Sequence, residues 1–372
     1  MISNNYSKIN IEYRHDGDFV RFFEKIAGKR VTLLYDINTE PYALEMYDRL
    51  IMADCDVVEV EFPDEELIPT EDKCDFAEWA AKTTDYVLAV GSGTLNDIAK
   101  SVSFKSGIPC GVLATAASMD GYCSSGAALM RDGFKVTDST HTPSDILVDL
   151  DIIKNAPRDM TTAGFGDIIG KYTCLADWKL ANLINGEPIH EEAYSMMESV
   201  RAACVKAYDG LRDGSEDAAE ALMDALLTAG ISMAVCGNSR PASGSEHHQS
   251  HFLEMDFARR EEKIPPHGIK VAIGTLVSLH IYKYIADHKI PCRNAESVYE
   301  LARSLPDEAT IRKMLEGIGC PTRFSEIGVS EETMRQMLFE AHTVRDRYTV
   351  LTFANELGIM SDMADGIMEM YF

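Results

Sequence analysis

Tyr86-Val-Leu-Ala-Val90 runs directly into Gly91-Ser-Gly-Thr-Leu-Asn-Asp97, and the spacing beyond it predicts a helix over residues 98–106. A short apolar run rich in β-formers and closed by glycine reads as a buried strand. Similar runs at residues 31–35, 55–62, 110–114 and 145–149 predict further strands, with helical spacing at 40–53 and 74–82. Strands alternating with helices imply βαβ units, so the first half is expected to be an α/β domain: a parallel sheet flanked by helices.

In such sheets ligands sit beyond the carboxyl ends of the strands, where glycine-rich turns lead into helix N-termini. Gly91 and Gly93 let backbone N–H groups approach a phosphate, and the helix start adds its positive dipole end. The same turn also serves as a plain tight turn. Asn96 stands where the third glycine of a GxGxxG fingerprint would be, so the ordinary dinucleotide motif is absent. Thr115-Ala-Ala-Ser-Met-Asp-Gly-Tyr-Cys-Ser124 follows the next strand. Its hydroxyls suit a phosphate or a carboxamide, and Asp120 suits substrate hydroxyls; a capped helix start or polar loop is the structural alternative. Residues 127–137 carry an Asp-Gly turn between strand-like runs, which predicts a hairpin.

From Arg158 onward the strand period gives way to long helical stretches, for example 191–208 and 217–236. This divides the chain into a nucleotide-binding α/β domain, 1–157, and an all-α domain, 158–372. The helical half holds Ser243-Gly-Ser-Glu-His-His-Gln-Ser-His251. His247 and His251, at i and i+4, share one helix face. His267, in the turn Pro265-Pro-His-Gly268, supplies a third imidazole, and three protein ligands with an open position form a catalytic metal site. The carboxylate candidate is Asp167, in Thr161-Thr-Ala-Gly-Phe-Gly-Asp-Ile-Ile-Gly-Lys171, read as the head of a helix where an N-cap is the competing role.

The bulk numbers bound the function. A length of 372 residues suggests two domains, and 46% apolar residues suffice for substantial cores. No uninterrupted apolar run reaches 18 residues, so no membrane span is expected. The net charge of −25 argues against a nucleic-acid partner. Nine cysteines without a CxxC pair read as reduced thiols, and the first residues lack a signal-peptide layout. A cytoplasmic protein is expected. Its oligomeric state is not readable, and a homo-oligomer is left open.

Gly91 to Asp97, Thr115-Ala-Ala-Ser118, Gly164-Phe-Gly-Asp167, Glu246-His-His-Gln-Ser-His251 and Pro266-His-Gly268, in this order, resemble the superfamily of iron-containing alcohol dehydrogenases, glycerol dehydrogenases and dehydroquinate synthases. Ser118-Met-Asp-Gly-Tyr-Cys-Ser-Ser125 and Ser239-Arg-Pro-Ala-Ser-Gly-Ser-Glu-His247 are most similar to the sn-glycerol-1-phosphate dehydrogenase family within it. The resemblance implies a dehydroquinate synthase-like fold, with metal ligation by Asp167, His247 and His267. It implies cofactor contacts from Gly93, Thr94, Leu95, Asn96, Asp97, Thr115, Ser118 and Ser124, with Asp36 near the adenosine ribose. Catalytic roles fall to His251, Asp120 and Lys171, and substrate contacts to Asp120, Asp167, His251 and, from its charge beside the histidine helix, Arg240. The implied reaction is NAD(P)H-linked reduction of dihydroxyacetone phosphate to sn-glycerol 1-phosphate, a step of phospholipid biosynthesis. The alternative is a glycerol or polyol dehydrogenase without a phosphate requirement. Zinc is the expected divalent metal, with nickel and iron as alternatives. Lys171 stands where iron alcohol dehydrogenases carry a further histidine, which leaves three ligands.

Overall fold

The computed structural model describes residues 9–132 and 134–372. The polar leader and Gly133 of the expected hairpin turn lie outside the described residues. The first part runs β1 (Asn10–Arg14), α1 (Val20–Ile26), β2 (Arg30–Asp36), α2 (Glu40–Met52), β3 (Asp56–Phe62), α3 (Glu71–Ala81) and β4 (Tyr86–Gly91). It continues with α4 (Gly93–Ser106), β5 (Cys110–Ala114), β6 (Gly126–Arg131), β7 (Phe134–Ser139), β8 (Asp145–Asp149) and α5 (Leu150–Asn155). Helices then follow: α6 (Arg158–Ile169), α7 (Lys171–Asn185), α8 (Glu191–Lys206), α9 (Tyr208–Asp213), α10 (Glu216–Cys236) and α11 (Ser245–Arg259). The last are α12 (His267–Asp287), α13 (Ala295–Ser304), α14 (Glu308–Gly317), α15 (Glu331–Glu340), α16 (Val350–Glu356) and α17 (Met360–Tyr371).

Six strands form one sheet in the order β1-β8-β5-β4-β2-β3, and every pairing is parallel. The central strands β4, β5 and β8 are buried along their whole length, as a sheet covered on both faces requires. β6 and β7 pair separately as the antiparallel hairpin. β1 has no counterpart among the expected strands, because Asn-Ile-Glu-Tyr-Arg carries a single fully apolar residue; it is held as an edge strand by its pairing with β8.

The chain forms two compact units. The first holds the described residues up to Pro157 together with Gly214–Gly237; the second holds Arg158–Asp213 and Asn238–Phe372. Pro157 is thus a boundary, but α10 belongs with the sheet rather than with the other helices of 158–372. A Cβ added at Gly230 would lie 2.8 Å from the Asp120 carbonyl and 2.9 Å from the Cys123 nitrogen, so α10 rests directly on that loop. Tyr13 and Lys154 also hydrogen-bond to Asp224 and Glu216 of α10. Helical periodicity says that a helix forms, not which body it joins.

In the second unit α12 is the central helix, buried on all sides and packed by α6, α11, α13, α14, α16 and α17. α10 and α12 are long and apolar enough to pass for membrane spans, yet 61% and 83% of those windows are buried inside the fold. They are core helices. The α6–α12 crossing is the tightest contact. A Cβ on Gly268 would fall 1.7 Å from the Ala163 carbonyl, and one on Gly166 would fall 2.4 Å from the Gly268 carbonyl. No larger residue fits at either position. Asp167 therefore lies inside α6, near its C-terminal end, and not at a helix head. Gly166 and Gly268 permit the backbone contact between α6 and α12.

Gly268→Ala is expected to destabilise the protein by about 3 kcal/mol through overpacking against backbone. Gly366→Ala, in α17 with nothing within 4 Å of the added Cβ, should stabilise by about 0.5–1 kcal/mol. Chemical denaturation midpoints of the two variants check this contrast.

Candidate metal and cofactor sites

α6, α11 and α12 bring Asp167, His247 and His267 together. One ligand atom from each lies within 4.8 Å of the others, and His247 Nε2 is 3.6 Å from Asp167 Oδ1. The His247 and His267 ring centroids are 5.1 Å apart. Asp167 is fully buried and His247 is 4% exposed. His267 is the first residue of α12, following Pro266 as N-cap, and not part of an isolated turn.

The second nitrogens of these rings are engaged by carboxylates. His247 Nδ1 lies 2.8 Å from Glu246 Oε1, and His267 Nδ1 lies 2.8 Å from Glu254 Oε1. A carboxylate at Nδ1 fixes the Nδ1–H tautomer and directs the Nε2 lone pair outward, as in carboxylate–histidine–metal sites. Glu246 in turn accepts from Thr173 Oγ1 at 2.7 Å and from the Gly244 N–H at 2.7 Å. Burial raises the Glu246 carboxyl above its ordinary range, and these donors oppose the shift. An Asp/His/His donor set with the open side expected of a catalytic centre fits one divalent cation. His251, one turn beyond His247, gives its Nδ1 to Glu254 Oε2 at 2.9 Å. Glu254 thus joins His251 to His267, whose rings stand 5.6 Å apart.

The first unit places the expected cofactor residues along the carboxyl edge of the sheet. Gly91 of β4 is paired with Ala114 of β5, and the Thr115 N–H donates to the Gly91 carbonyl at 3.2 Å. The two loops therefore run side by side. α4 begins at Gly93, five residues before the expected Ile98, and Ser92 makes no side-chain cap. Gly93 and Thr94 form the helix's partly exposed first turn, while Leu95 and Asn96 are buried. Thr115, Ser118 and Asp120 are each 7–8% exposed. Ser124 Oγ lies 2.9 Å from the Gly121 carbonyl and 3.3 Å from Lys100 Nζ. Asp97 accepts from the Ala128 N–H at 3.1 Å and pairs with Lys100 at 2.8 Å. Asp36, at the end of β2, caps its own turn by accepting from the Asn38 and Thr39 N–H groups at 3.0 Å.

Arg240 and Lys171 are both engaged by neighbouring residues. Arg240 is 4% exposed. Its Nε donates to Glu187 Oε1 at 2.8 Å, and its Nη2 donates to Glu187 Oε2 and to the carbonyls of Asp177 and Tyr348. That ion pair answers its charge locally, which argues against the substrate-clamp role. Lys171 is fully buried and donates to Asp167 Oδ1 and to the Ala242 carbonyl, both at 2.9 Å. It positions the carboxylate. Three further residues carry structural duties that single-residue reading did not assign: Glu246, Glu254 and Lys100. Lys100 is fully buried and also donates to the carbonyls of Gly121 and Gly126. The available signal was a carboxylate beside His247, another three residues after His251, and a lysine in the apolar row of α4.

A parallel-sheet unit with a Gly-Ser-Gly turn at its carboxyl edge, together with a helical unit carrying Asp and two histidines in one cluster, defines the iron-containing alcohol dehydrogenase class. The family model described as iron-containing alcohol dehydrogenase matches residues 12–157. A glycerol-1-phosphate dehydrogenase (NAD(P)+) of Bacillus velezensis is 38% identical over 280 residues, spanning 74% of this chain and 71% of that protein. One of Methanoregula boonei is 31% identical over 346 residues, spanning 93% and 87%. Among solved structures, a probable glycerol dehydrogenase from Sinorhizobium meliloti superposes with a TM-score of 0.71 at 19% identity, covering 96% of this chain and 98% of that one. This chain belongs to the glycerol-1-phosphate dehydrogenase family.

His247→Ala is expected to lose bound metal, whereas His251→Ala retains it and loses turnover. Glu246→Gln should weaken metal affinity roughly 10- to 100-fold, the usual effect of removing an outer partner. Metal content per chain after dialysis against a graded chelator distinguishes the three.

Proposed function

We propose that this protein is an oxidoreductase that reduces dihydroxyacetone phosphate to sn-glycerol 1-phosphate with NAD(P)H, using one divalent metal ion held by Asp167, His247 and His267. The observation that carries the metal assignment is the convergence of these three ligand atoms within 4.8 Å, with Glu246 and Glu254 fixing the histidine tautomers. The names of the relatives support the substrate and the cofactor. When bound, the metal supplies Lewis-acid polarisation of a ketone oxygen, and the nicotinamide supplies hydride. Zinc suits the three-ligand set best.

The chain's own residues do the rest. Lys171 holds the Asp167 carboxylate from the side of the Ala242 carbonyl, so the ligand is oriented before metal arrives. Glu254 accepts from His251 Nδ1 and so favours the imidazolium form, in which Nε2 also carries a proton; that proton would pass to the ketone oxygen as hydride adds to the carbon, leaving the neutral Nδ1–H ring. Gly93 and Thr94, at the start of α4, offer backbone N–H groups to the cofactor's pyrophosphate. The loop of Thr115 and Ser118 lies beside them. Asp120 accepts from a substrate hydroxyl. All nine cysteines are free, which suits a reducing cytoplasmic setting.

The metal-loaded protein should oxidise NADH or NADPH with dihydroxyacetone phosphate, and its kcat/KM should exceed that for unphosphorylated dihydroxyacetone by about 100-fold, the scale of two charge-assisted hydrogen bonds. The product should be inert to an enzyme specific for sn-glycerol 3-phosphate. Chelation should abolish turnover and added zinc restore it. Equal or better use of glycerol and dihydroxyacetone would overturn the phosphorylated-substrate reading.

A further inference from the structure

The loop between α10 and α11, residues 238–244, gathers three cationic side chains, the buried Arg240 and the part-exposed Arg345 and Arg347, in a chain of net charge −25. Arg347 Nη1 donates to the Ser243 carbonyl at 2.6 Å and to the Ser239 carbonyl at 3.3 Å, and its Nη2 donates to Ser239 Oγ at 3.0 Å. Arg345 Nη1 reaches the same Ser239 hydroxyl at 3.4 Å. Among the described residues, Arg347 has no carboxylate in ion-pair contact. A guanidinium held by two carbonyls and a hydroxyl, with no carboxylate in contact, keeps a charge that no ion pair neutralises. Burial, then Arg240 and Arg345, pull the Arg347 guanidinium down to about 10.

Polar atoms facing this region also lack partners. Ser243 Oγ, in a residue 2% exposed, has no hydrogen bond, nor has Arg240 Nη1, the one nitrogen its ion pair leaves over. His248 is fully buried with both ring nitrogens unsatisfied. The N–H groups of Gly244 and Ser245 are already taken by Glu246 and Asp177. The attraction for an anion therefore comes from the arginines and the serine hydroxyl, not from the start of α11. Orphaned buried donors beside a guanidinium with no carboxylate in contact, that of Arg347, mark a place where a ligand completes the hydrogen bonding.

The position relative to the metal cluster follows from shared partners. Ala242, adjacent to Ser243, gives its carbonyl to Lys171, and the same ammonium grips Asp167. Arg345 also feels the charge of Glu254, the carboxylate that joins His251 to His267.

We propose that Arg345 and Arg347, with the Ser243 hydroxyl, bind the phosphate group of the substrate, while Arg240 braces the loop they act from. The assignment rests on the reading of the substrate as a phosphorylated triose. Arg347 offers the planar fork that matches two phosphate oxygens.

The test compares kcat/KM for dihydroxyacetone phosphate and dihydroxyacetone in wild type, Arg347→Gln and Arg345→Gln, each metal-loaded. Thermal stabilisation by inorganic phosphate is measured on the same samples. The ratio of the two kcat/KM values should fall about 10- to 100-fold in either variant, the scale of one lost charge-assisted interaction. The rise in Tm that inorganic phosphate is expected to give wild type should be lost in the variants. Arg345→Gln keeps the test open if Arg347→Gln does not fold, because Arg345 meets the Ser239 hydroxyl at 3.4 Å, whereas it is Arg347 that bonds to the loop carbonyls. A wild type that prefers the phosphorylated ketone, with variants that keep the ratio and the stabilisation, overturns the arginine assignment alone. A wild type that does not discriminate overturns the substrate reading and this assignment with it.

Discussion

The contact on which the second unit depends is backbone against backbone, at Gly166 of α6 and Gly268 of α12. Side chains ordinarily hold packed helices 8–10 Å apart, and glycine at the crossing lets the axes approach more closely. Asp167 and His267 are each one residue from that contact, so the approach of the helices sets the separation of the carboxylate and the imidazole. α11 joins the same core, because Gly274 of α12 lies against the Glu246 backbone and Gly170 lies against the Glu246 side chain. Three metal-ligand candidates from three helices are thus positioned by glycines that have no side chain to offer a ligand.

Buried charge is the second organising feature. Asp167, Lys171, Asp177, Glu246, Glu254 and Lys270 are each at most 3% exposed in the helical unit. Isolated charges at such depth would be prohibitive, and these persist because each has hydrogen-bonded partners. Asp177 accepts from the N–H groups of Ser245 and Val350 and from Tyr282 Oη, while its neighbour Glu246 supports His247. Burial and the mutual repulsion of the two carboxyls raise Asp177 to about 6 despite those donors. Such an arrangement exchanges stability for orientation, the exchange expected of a site that must hold its ligands in place before a metal or substrate arrives.

Much of the first unit was legible from short-range pattern. The central strands are apolar runs closed by glycine or aspartate, and the strand-to-helix alternation alone implies a parallel sheet. β1 carries little sequence signal because an edge strand beside β8 needs little apolar character, and the grouping of α10 with the sheet is not local information, since its partner loop around Asp120 lies about a hundred residues earlier in the chain. In the helical unit, His247 and His251 were legible through their spacing, whereas choosing between them for the metal rested on resemblance to a family. Asp167 is expected at a helix head but lies inside α6, where Gly166 and Gly170 let α6 approach α12. The arginines at 345 and 347 had no local signal, since their significance lies in contacts with residues 239 and 243 that only the folded chain creates.

The central claim is that one divalent ion is held by Asp167, His247 and His267. Anomalous diffraction from crystals of the metal-loaded protein, recorded on both sides of the metal's absorption edge, tests it most directly. The account predicts a single strong peak per chain within about 2.0–2.2 Å of Nε2 of His247, Nε2 of His267 and a carboxylate oxygen of Asp167. A peak centred instead on His251 and Glu254, away from Asp167, would contradict it.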